Sequence, residues 1–192
     1  LEALLGAMQR QQGGQSTGRA LASSPSDISA EDVQWLRTQA AQGNVQAQTN
    51  LGLLYTNGHG VPQDFVQSRQ WYEHAAAQEH AGAQYNLGVM YFQGHGVSQD
   101  YVKARQWYEK AAAQGYPKAQ YNLGALYVNG QGVPQDFVRA YMWNNLAAAS
   151  TGDQQMHAVE YRDKVARRMT PAQIAAAQQL SQQCQVQQFK GC

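Results

Sequence analysis

Residues 86–107 read NLGVMYFQGHGVSQDYVKARQW, and this stretch decides the fold because the chain contains its frame three times. The frame appears 36 residues earlier as NLGLLYTNGHGVPQDFVQSRQW (50–71) and 36 residues later as NLGALYVNGQGVPQDFVRAYMW (122–143). All four tryptophans follow this period: Trp35, Trp71, Trp107 and Trp143. Self-similarity at a fixed period of this size is typical of a stacked array of small structural units.

Each repeat begins with the pattern of an amphipathic helix. In the middle repeat, Ala83, Leu87, Met90 and Tyr91 recur at i, i+4, i+7 and i+8, which predicts one buried helical face. Gly88 lies in the middle of this helix, where glycine costs about 1 kcal/mol relative to alanine. We therefore expect a neighbouring helix to approach the backbone closely at this glycine and at its equivalents, Gly52 and Gly124.

A tight turn and a second helix complete each repeat. Gly94 stands where a helix C-cap in the left-handed conformation is needed, and Asp100 stands where the next helix needs an N-cap. In the first repeat, we expect the second helix to bury Val66, Trp71 and Ala75. The G-x-G in the turn lacks the third glycine of a dinucleotide fingerprint.

The ends of the chain depart from the repeat. Ser29 and Asp32 form the pattern of a capping box, and Thr170 with Gln173 forms a second one, so helices are predicted to begin at both places. We divide the chain into a short helix with a Gly/Ser/Gln-rich linker (1–28), a half-repeat capping helix (29–42), three full repeats (43–78, 79–114 and 115–150) and a C-terminal helical cap with a Cys-bracketed tail (151–192). In the last segment we expect helices at 153–169 and 174–185.

Composition narrows the function classes. Lys+Arg 14 against Asp+Glu 13 leave a net charge of +1, so no general attraction to nucleic acid or to an anionic membrane surface is expected. No run approaches the ~18 apolar residues that span a bilayer. The chain begins with Leu1 and not with an initiator methionine, so we expect that it derives from a longer precursor.

The frame A-x-Y-N-L-G-x-x-Y-x-x-G-x-G-V-x-x-D-x-x-x-A-x-x-W-Y-x-x-A-A resembles the Sel1-like repeat, a relative of the tetratricopeptide repeat. Departures are few: Glu79 replaces a repeat-initial glycine, Ser68 an alanine, and Asn144 the tyrosine after tryptophan. The resemblance implies an all-α, right-handed α-solenoid that binds other proteins, with its first helices on the concave face. Bacterial members are commonly exported.

Few residues offer chemistry. Cys184 and Cys192 are the only cysteines, and in a chain expected to be exported they predict a disulfide, ahead of a metal pair or a reactive thiol. His59 and His95 occupy equivalent turns, about 10 Å apart in stacked repeats, too far to share a metal ion. The chain carries no S-x-x-K or K-T-G motif, and no serine has a placed general base, so we expect no catalysis and no cofactor.

The remaining candidate is the surface of the first helices beside the buried stripe. We predict that a protein or peptide partner contacts a set of amide, aromatic and small apolar side chains there: Gln46, Thr49, Asn50, Leu53, Asn57, Tyr85, Asn86, Val89, Phe92, Gln93, Tyr121, Asn122, Ala125 and Asn129. In an alternative interpretation, Asn50, Asn86 and Asn122 hydrogen-bond between neighbouring repeats.

These observations predict a non-catalytic scaffold or adaptor in the bacterial envelope, periplasmic or secreted, that is a monomer or self-associates weakly. One alternative is a secreted host-interaction factor or a toxin-neutralising immunity protein. A β-lactam-binding protein or hydrolase is a weaker alternative, since no serine has a placed general base.

Overall fold

The computed structural model of the chain describes residues 28–150 and 153–189. These residues form nine α-helices and no strand, which confirms the all-α prediction. The helices are α1 (Ala30–Ala41), α2 (Val45–Asn57), α3 (Phe65–Ala77), α4 (Ala81–Gln93), α5 (Tyr101–Ala112), α6 (Pro117–Asn129), α7 (Phe137–Ala148), α8 (Asp153–Ala166) and α9 (Pro171–Val186). The predicted N-terminal helix and linker lie, apart from Ile28, outside the described residues. The chain divides into two compact units, residues 1–75 and residues 76–192.

The predicted helix starts are confirmed by their hydrogen bonds. Ser29 and Asp32 form a full capping box, in which the Ser29 hydroxyl accepts from the Asp32 N–H at 3.1 Å and the Asp32 carboxylate accepts from the Ser29 N–H at 3.1 Å. Thr170 and Gln173 form the same arrangement before α9. This box places the start of α9 at Pro171, the first helical position that an N-cap at Thr170 predicts, and α9 extends beyond the predicted span 174–185 at both ends. The preceding helix, α8, ends at Ala166 and not at 169.

The loop between the two helices is built the same way in all three repeats. It begins at a left-handed glycine, with φ of 70°, 76° and 65° at Gly58, Gly94 and Gly130. The N–H of the N-cap aspartate then donates to the carbonyl of a tyrosine of the first helix at 2.9 to 3.0 Å, in the pairs Asp64 and Tyr55, Asp100 and Tyr91, Asp136 and Tyr127. A glutamine amide, which the repeat pattern did not single out, donates to the first helix at 2.6 to 2.8 Å, from Gln63 to Thr56, Gln99 to Phe92 and Gln135 to Val128.

The first unit packs α1 against α2. Its buried cluster consists of Val33, Leu36, Ala40, Ala47, Leu51, Leu54 and Val61. The predicted burial on α3 was partly wrong: Ala75 is buried, but Val66 is 48% exposed and Trp71 is only half-buried. Tyr72 takes the buried position instead, because its ring lies over Gly52 of α2, where a side chain would overlap it. The predicted close approach at this glycine is therefore confirmed.

The second unit pairs α4 with α5, α6 with α7, and α7 with both α8 and α9. Its core is formed by Tyr108, Leu123, Leu126, Trp143, Leu146, Val165, Ala177 and Cys184, among others. Tyr108 lies over Gly88 as Tyr72 lies over Gly52. At Gly124 the side-chain amide of Asn144 takes the place of a tyrosine ring, since this repeat has asparagine after its tryptophan. The Asn144 amide nitrogen donates to the Ala140 carbonyl at 2.8 Å.

Glu79 stands where the repeat pattern expects a glycine, and it adopts the backbone conformation that glycine favours. Glu79 has φ of 60°, a left-handed conformation, at the position where Gly43 and Gly115 have φ of 87° and 74°.

Cys184 is buried on α9, whereas Cys192 lies outside the described residues, so the disulfide between them stays a prediction.

Candidate functional site

On α2, the predicted partner-binding side chains range from exposed to buried: Gln46 and Asn57 are exposed, Thr49 and Leu53 are half-buried, and Asn50 is buried. The Gln46 amide donates to the Asn50 side-chain oxygen at 2.9 Å. The Thr49 hydroxyl donates to the Val45 carbonyl at 2.9 Å. These polar groups therefore bond within their own helix.

On α4, Tyr85, Asn86, Val89 and Phe92 are half-buried, and Gln93 is exposed. Tyr85, Val89 and Phe92 pack against the core of the second unit. The Phe92 ring lies 5.3 Å from the ring of Tyr101, between centroids. Phe92 therefore stabilises the fold, and its loss would disturb packing as well as any surface contact.

On α6, Tyr121, Asn122 and Ala125 are half-buried, and Asn129 is exposed. The Asn129 amide donates to the side-chain oxygen of Gln131 at 3.4 Å. Tyr121 and Asn122, in contrast, line a cavity in the second unit.

This cavity has a volume of about 290 Å³ and is lined by Tyr85, Lys118, Tyr121, Asn122 and His157. It brings together residues of three helices, α4, α6 and α8. Three of the five, Tyr85, Tyr121 and Asn122, belong to the predicted set. Tyr85 and Tyr121 occupy the same position in successive repeats, so stacking places one aromatic wall beside the other.

Neighbouring aromatic rings hold the tyrosine walls in place. The centroid of the Tyr85 ring lies 5.9 Å from that of Tyr108 and 5.3 Å from that of Tyr116, at tilted angles. The Tyr121 ring lies 5.4 Å from the ring of Tyr161. Aromatic pairs at such distances add about 0.5 to 1.5 kcal/mol beyond the area that they bury. The walls are thus fixed before any ligand arrives.

Asn122 connects the cavity to the preceding repeat. Its side-chain amide faces the hydroxyls of Tyr85 and Tyr108 and acts to lower the pKa of both against the effect of burial. Asn122 thus interacts with the preceding repeat, and it also lines the cavity. For Asn50 the bond lies within one helix, as described above.

Burial changes the pKa of four tyrosines in and beside the cavity: Tyr85, Tyr108, Tyr116 and Tyr161. Burial raises the pKa of Tyr85, Tyr108 and Tyr116 above the ordinary value of 10.0, and the hydrogen bond from Asn122 opposes this rise only in part at Tyr85 and Tyr108. Burial and the nearby Tyr121 also raise the pKa of Tyr161. The Tyr85 hydroxyl that lines the cavity is therefore neutral at physiological pH.

Alanines place α8 against the rest of the unit. Ala158 is fully buried and clusters with Ala147 and Ala148 at the end of α7, with Tyr121 packed beside them. This contact fixes the position of the exposed His157, one residue earlier, at the edge of the cavity.

Charge in the lining is of one sign. Lys118 is exposed and is the second residue of α6, whose N-cap Tyr116 makes no side-chain cap hydrogen bond. None of the five lining residues is acidic. In the described residues, no group of three or more His, Cys, Asp and Glu side chains is placed to hold a metal ion. The cavity suits a neutral or anionic group.

Sequence reasoning placed Lys118 in the row of flanking positions that contains Asn122 but did not include it among the predicted contact residues, and it missed His157 as a site residue. Lys118 replaces Gln46 and Gly82 of the earlier repeats, so the repeat frame does not require a cation there, and that difference was the available signal. His157 lies on α8, which has no equivalent in the repeats, so no alignment of repeats predicts where it points.

A family model described as Sel1 repeat matches residues 45–80, 81–116 and 117–151. No curated protein matches the chain. Within the described residues, no helix is long and apolar enough to cross a membrane.

Two solved structures are similar to the chain over most of its length. A protective antigen present in uropathogenic Escherichia coli strains and displaying an SLR fold is 30% identical, with a TM-score of 0.60, over 83% of this chain. This chain covers only 42% of that protein. A Sel1 repeat protein from Oxalobacter formigenes is 37% identical, with a TM-score of 0.59, over 68% of this chain and 98% of its own.

Proposed function

Since this chain belongs to the Sel1 repeat family, we propose that it is a non-catalytic scaffold that binds a protein or peptide partner through the first helices of its repeats. The similar solved structures, together with the all-helical fold, confirm the predicted class of α-solenoid. Sel1 repeats indicate that the chain is an interaction scaffold. What we propose beyond this is that its partner is a protein or peptide and that the partner contacts the first helices of the repeats.

The cavity lined by Tyr85, Lys118, Tyr121, Asn122 and His157 is the observation that carries this function. It combines rigid aromatic walls with a small number of polar groups, the composition by which proteins bind and orient ligands. Its walls are fixed by neighbouring rings, so little conformational entropy is lost on binding. We propose it as the centre of the contact surface.

A photo-crosslinking amino acid tests this proposal. It replaces Met156, which is 70% exposed on α8 beside the lining residue His157, so that every lining side chain is kept; in a matched protein it replaces Val102, which is 47% exposed on α5 and does not line the cavity. In the cells that produce the protein, we expect one crosslinked partner from position 156 and none from position 102. The partner, once identified and purified, should bind the wild-type chain in calorimetry. Equal crosslinking at both positions, or none at position 156, would reject the cavity as the contact surface.

We further propose that the protein acts in the periplasm or outside the cell, where the Cys184 and Cys192 pair would be oxidised. A nine-residue loop closed by this disulfide would contribute about 2 to 3 kcal/mol in the loop-entropy model. Peptide mapping without reductant should show one peptide containing both cysteines. Alkylation of both thiols in protein isolated from its own compartment would contradict this location.

The alternative is an exported factor that meets a host or a toxin. The observation in its favour is the similarity to a protective antigen of uropathogenic Escherichia coli strains. The identity of the crosslinked partner separates the two: an envelope protein supports the scaffold, and a host protein or a toxin supports the alternative.

We propose that the chain does not hydrolyse β-lactams. Incubation with a fluorescent penicillin followed by denaturing electrophoresis should give no labelled band. A covalent adduct that disappears when the protein is denatured beforehand would overturn this proposal.

A further inference from the structure

We propose that the cavity lined by Tyr85, Lys118, Tyr121, Asn122 and His157 recognises a carboxylate-bearing residue of a peptide. The inference rests on the proposed scaffold function and names the chemistry that its contact surface selects. It is carried by the charge, the hydrogen-bonding groups and the size of the cavity.

The charge of the lining favours an anion. Lys118 is the one formally charged side chain among the five, and its ammonium group is exposed on α6. Among the side chains that the structure describes, which do not include that of Asp153, no carboxylate forms an ion pair with Lys118. Lys118 also lies in the first turn of α6, where the backbone dipoles add partial positive charge. An anion entering the cavity therefore meets an attractive field.

The neutral groups complement a carboxylate. The hydroxyls of Tyr85 and Tyr121 and the imidazole of His157 are groups that donate hydrogen bonds to carboxylate oxygens. The two aromatic rings offer apolar surface to the aliphatic part of the same residue. No lining side chain carries a negative charge that would oppose binding.

Size and charge select the kind of anion. A volume of about 290 Å³ lies at the lower limit of ligand cavities, which are commonly ~300 to 1,000 Å³, so it suits one or two residues and not a large cofactor. One lysine balances the single charge of a carboxylate. A phosphate group, with about −1.5 to −2 at neutral pH, would leave charge uncompensated in a cavity with one lysine.

Lys118 is a feature of the third repeat alone. The positions equivalent to Lys118 are Gln46 and Gly82, so the repeat folds without a lysine there. Replacing Lys118 should consequently leave the fold intact, which makes a clean test possible.

The test is an NMR titration of the full chain with three small probes. They are N-acetylphenylalanine, which carries a terminal carboxylate, its neutral amide, and N-acetylglutamate amide, which carries a side-chain carboxylate. We expect backbone amide shifts centred on Lys118, Tyr121 and Asn122. Because a hydrogen bond to a charged group contributes ~1.5 to 3 kcal/mol, the neutral amide should bind at least about tenfold more weakly than the acid.

Lys118→Met removes the charge and keeps the aliphatic stem. It should weaken binding of the acidic probes at least about tenfold. Lys164→Met is the matched control: it removes the same charge from an exposed position on α8 outside the cavity, and should leave the affinity unchanged. Tighter binding of N-acetylphenylalanine would identify the ligand as the terminal carboxylate of a peptide. Tighter binding of N-acetylglutamate amide would identify it as an acidic side chain.

Equal affinity for the acid and the neutral amide, shifts scattered over the surface, or an equal effect of both lysine variants would overturn the inference. Should position 156 crosslink a protein partner whose affinity is insensitive to Lys118→Met, the scaffold function stands and the carboxylate inference fails. Should the probes bind as expected while no partner crosslinks at position 156, the cavity is rejected as the contact surface for a protein partner and is a small-molecule carboxylate site.

Discussion

The ring of Tyr108 lies directly over the Cα atom of Gly88, so close that a methyl group on Gly88 would overlap Cδ1 and Cε1 of the ring. Tyr108 is only 1% exposed and cannot move out of the way. Tyr72 and Gly52 repeat this relationship in the first unit. The glycine in the middle of the helix is therefore required by the tyrosine of the following helix.

Gly88→Ala should destabilise the protein for this reason. Overpacking a core costs about 1 to 3 kcal/mol, and the better helix propensity of alanine returns at most about 1 kcal/mol. We expect a lower midpoint in urea denaturation. Gly82→Ala on the same helix is the comparison: an added methyl group there would come closest to the ring of His80, with Cε1 at 3.1 Å, and this partly exposed side chain can shift, so the loss of stability should be smaller than for Gly88→Ala. A neutral Gly88→Ala would contradict the close approach.

Glu79→Gly should stabilise the protein. Glu79 has φ of 60°, a left-handed conformation that costs a residue with a side chain about 1 to 2 kcal/mol, whereas Gly43 and Gly115 adopt it freely. Since glycine also loses more entropy on folding, we expect a net gain of about 0.5 to 1 kcal/mol. Glu79→Ala keeps the backbone conflict and should give no gain. Equal stabilisation by both variants would point to removal of the charge as the cause.

Protonation of His80 should weaken the start of α4. Its Nδ1 accepts a hydrogen bond from the Ala83 N–H at 3.2 Å, and burial lowers the His80 pKa below 6.5. Because the pKa is lower in the folded state, the contribution of this cap is present above pH 6.5 and is lost as the pH falls through the folded value. The N-cap is worth about 1 kcal/mol.

His80→Asn provides the matched variant. Asn44 caps α2 at the equivalent position by accepting from the Ala47 N–H at 2.9 Å, and asparagine does not titrate. Urea denaturation between about pH 7.5 and 5 should therefore show a smaller loss of stability for His80→Asn than for the wild-type chain. Parallel pH profiles would exclude the His80 cap as a source of the acid sensitivity.

Alkaline pH should destabilise the second unit through its buried tyrosines. Burial raises the pKa of Tyr108 above its ordinary value of 10.0, so above pH 10 the unfolded chain releases a proton that the folded chain retains. Stability then falls with rising pH, by about 1.4 kcal/mol per pH unit for each such tyrosine. Tyr108→Phe, which leaves the ring over Gly88, should reduce this slope. An unchanged slope would show that Tyr108 ionises normally.

The repeat pattern predicted the fold well because stacking imposes it on every copy. The left-handed glycines allow a positive φ, the N-cap aspartates bond to the first N–H groups of a helix, and the mid-helix glycines allow a neighbouring helix to come close. Each of these features is visible in the sequence as one residue type at a fixed spacing. The choice between Trp71 and Tyr72 as the buried aromatic was wrong because adjacent residues on a helix differ by ~100° in direction, and spacing alone did not fix the contact face.

The cavity was predicted only in part. Tyr85, Tyr121 and Asn122 were found because they recur beside the buried stripe, whereas His157 comes from a helix without a copy in the array. A single sequence gives the period of an array but not the rotation of the helix that follows it. Contacts such as that of Ala158 with Ala147 decide that rotation, and alanine carries no signal of its own.

The loops held by Gln63, Gln99 and Gln135 have a consequence for how such chains change in length. Each loop takes its hydrogen bonds from the helix just before it, and none from a different repeat among those described above. A block of 36 residues can therefore be duplicated or deleted by recombination, and each remaining loop keeps its hydrogen bonds to the preceding helix. The same property suits the chain to protein engineering, in which copies of the middle repeat would lengthen it one module at a time.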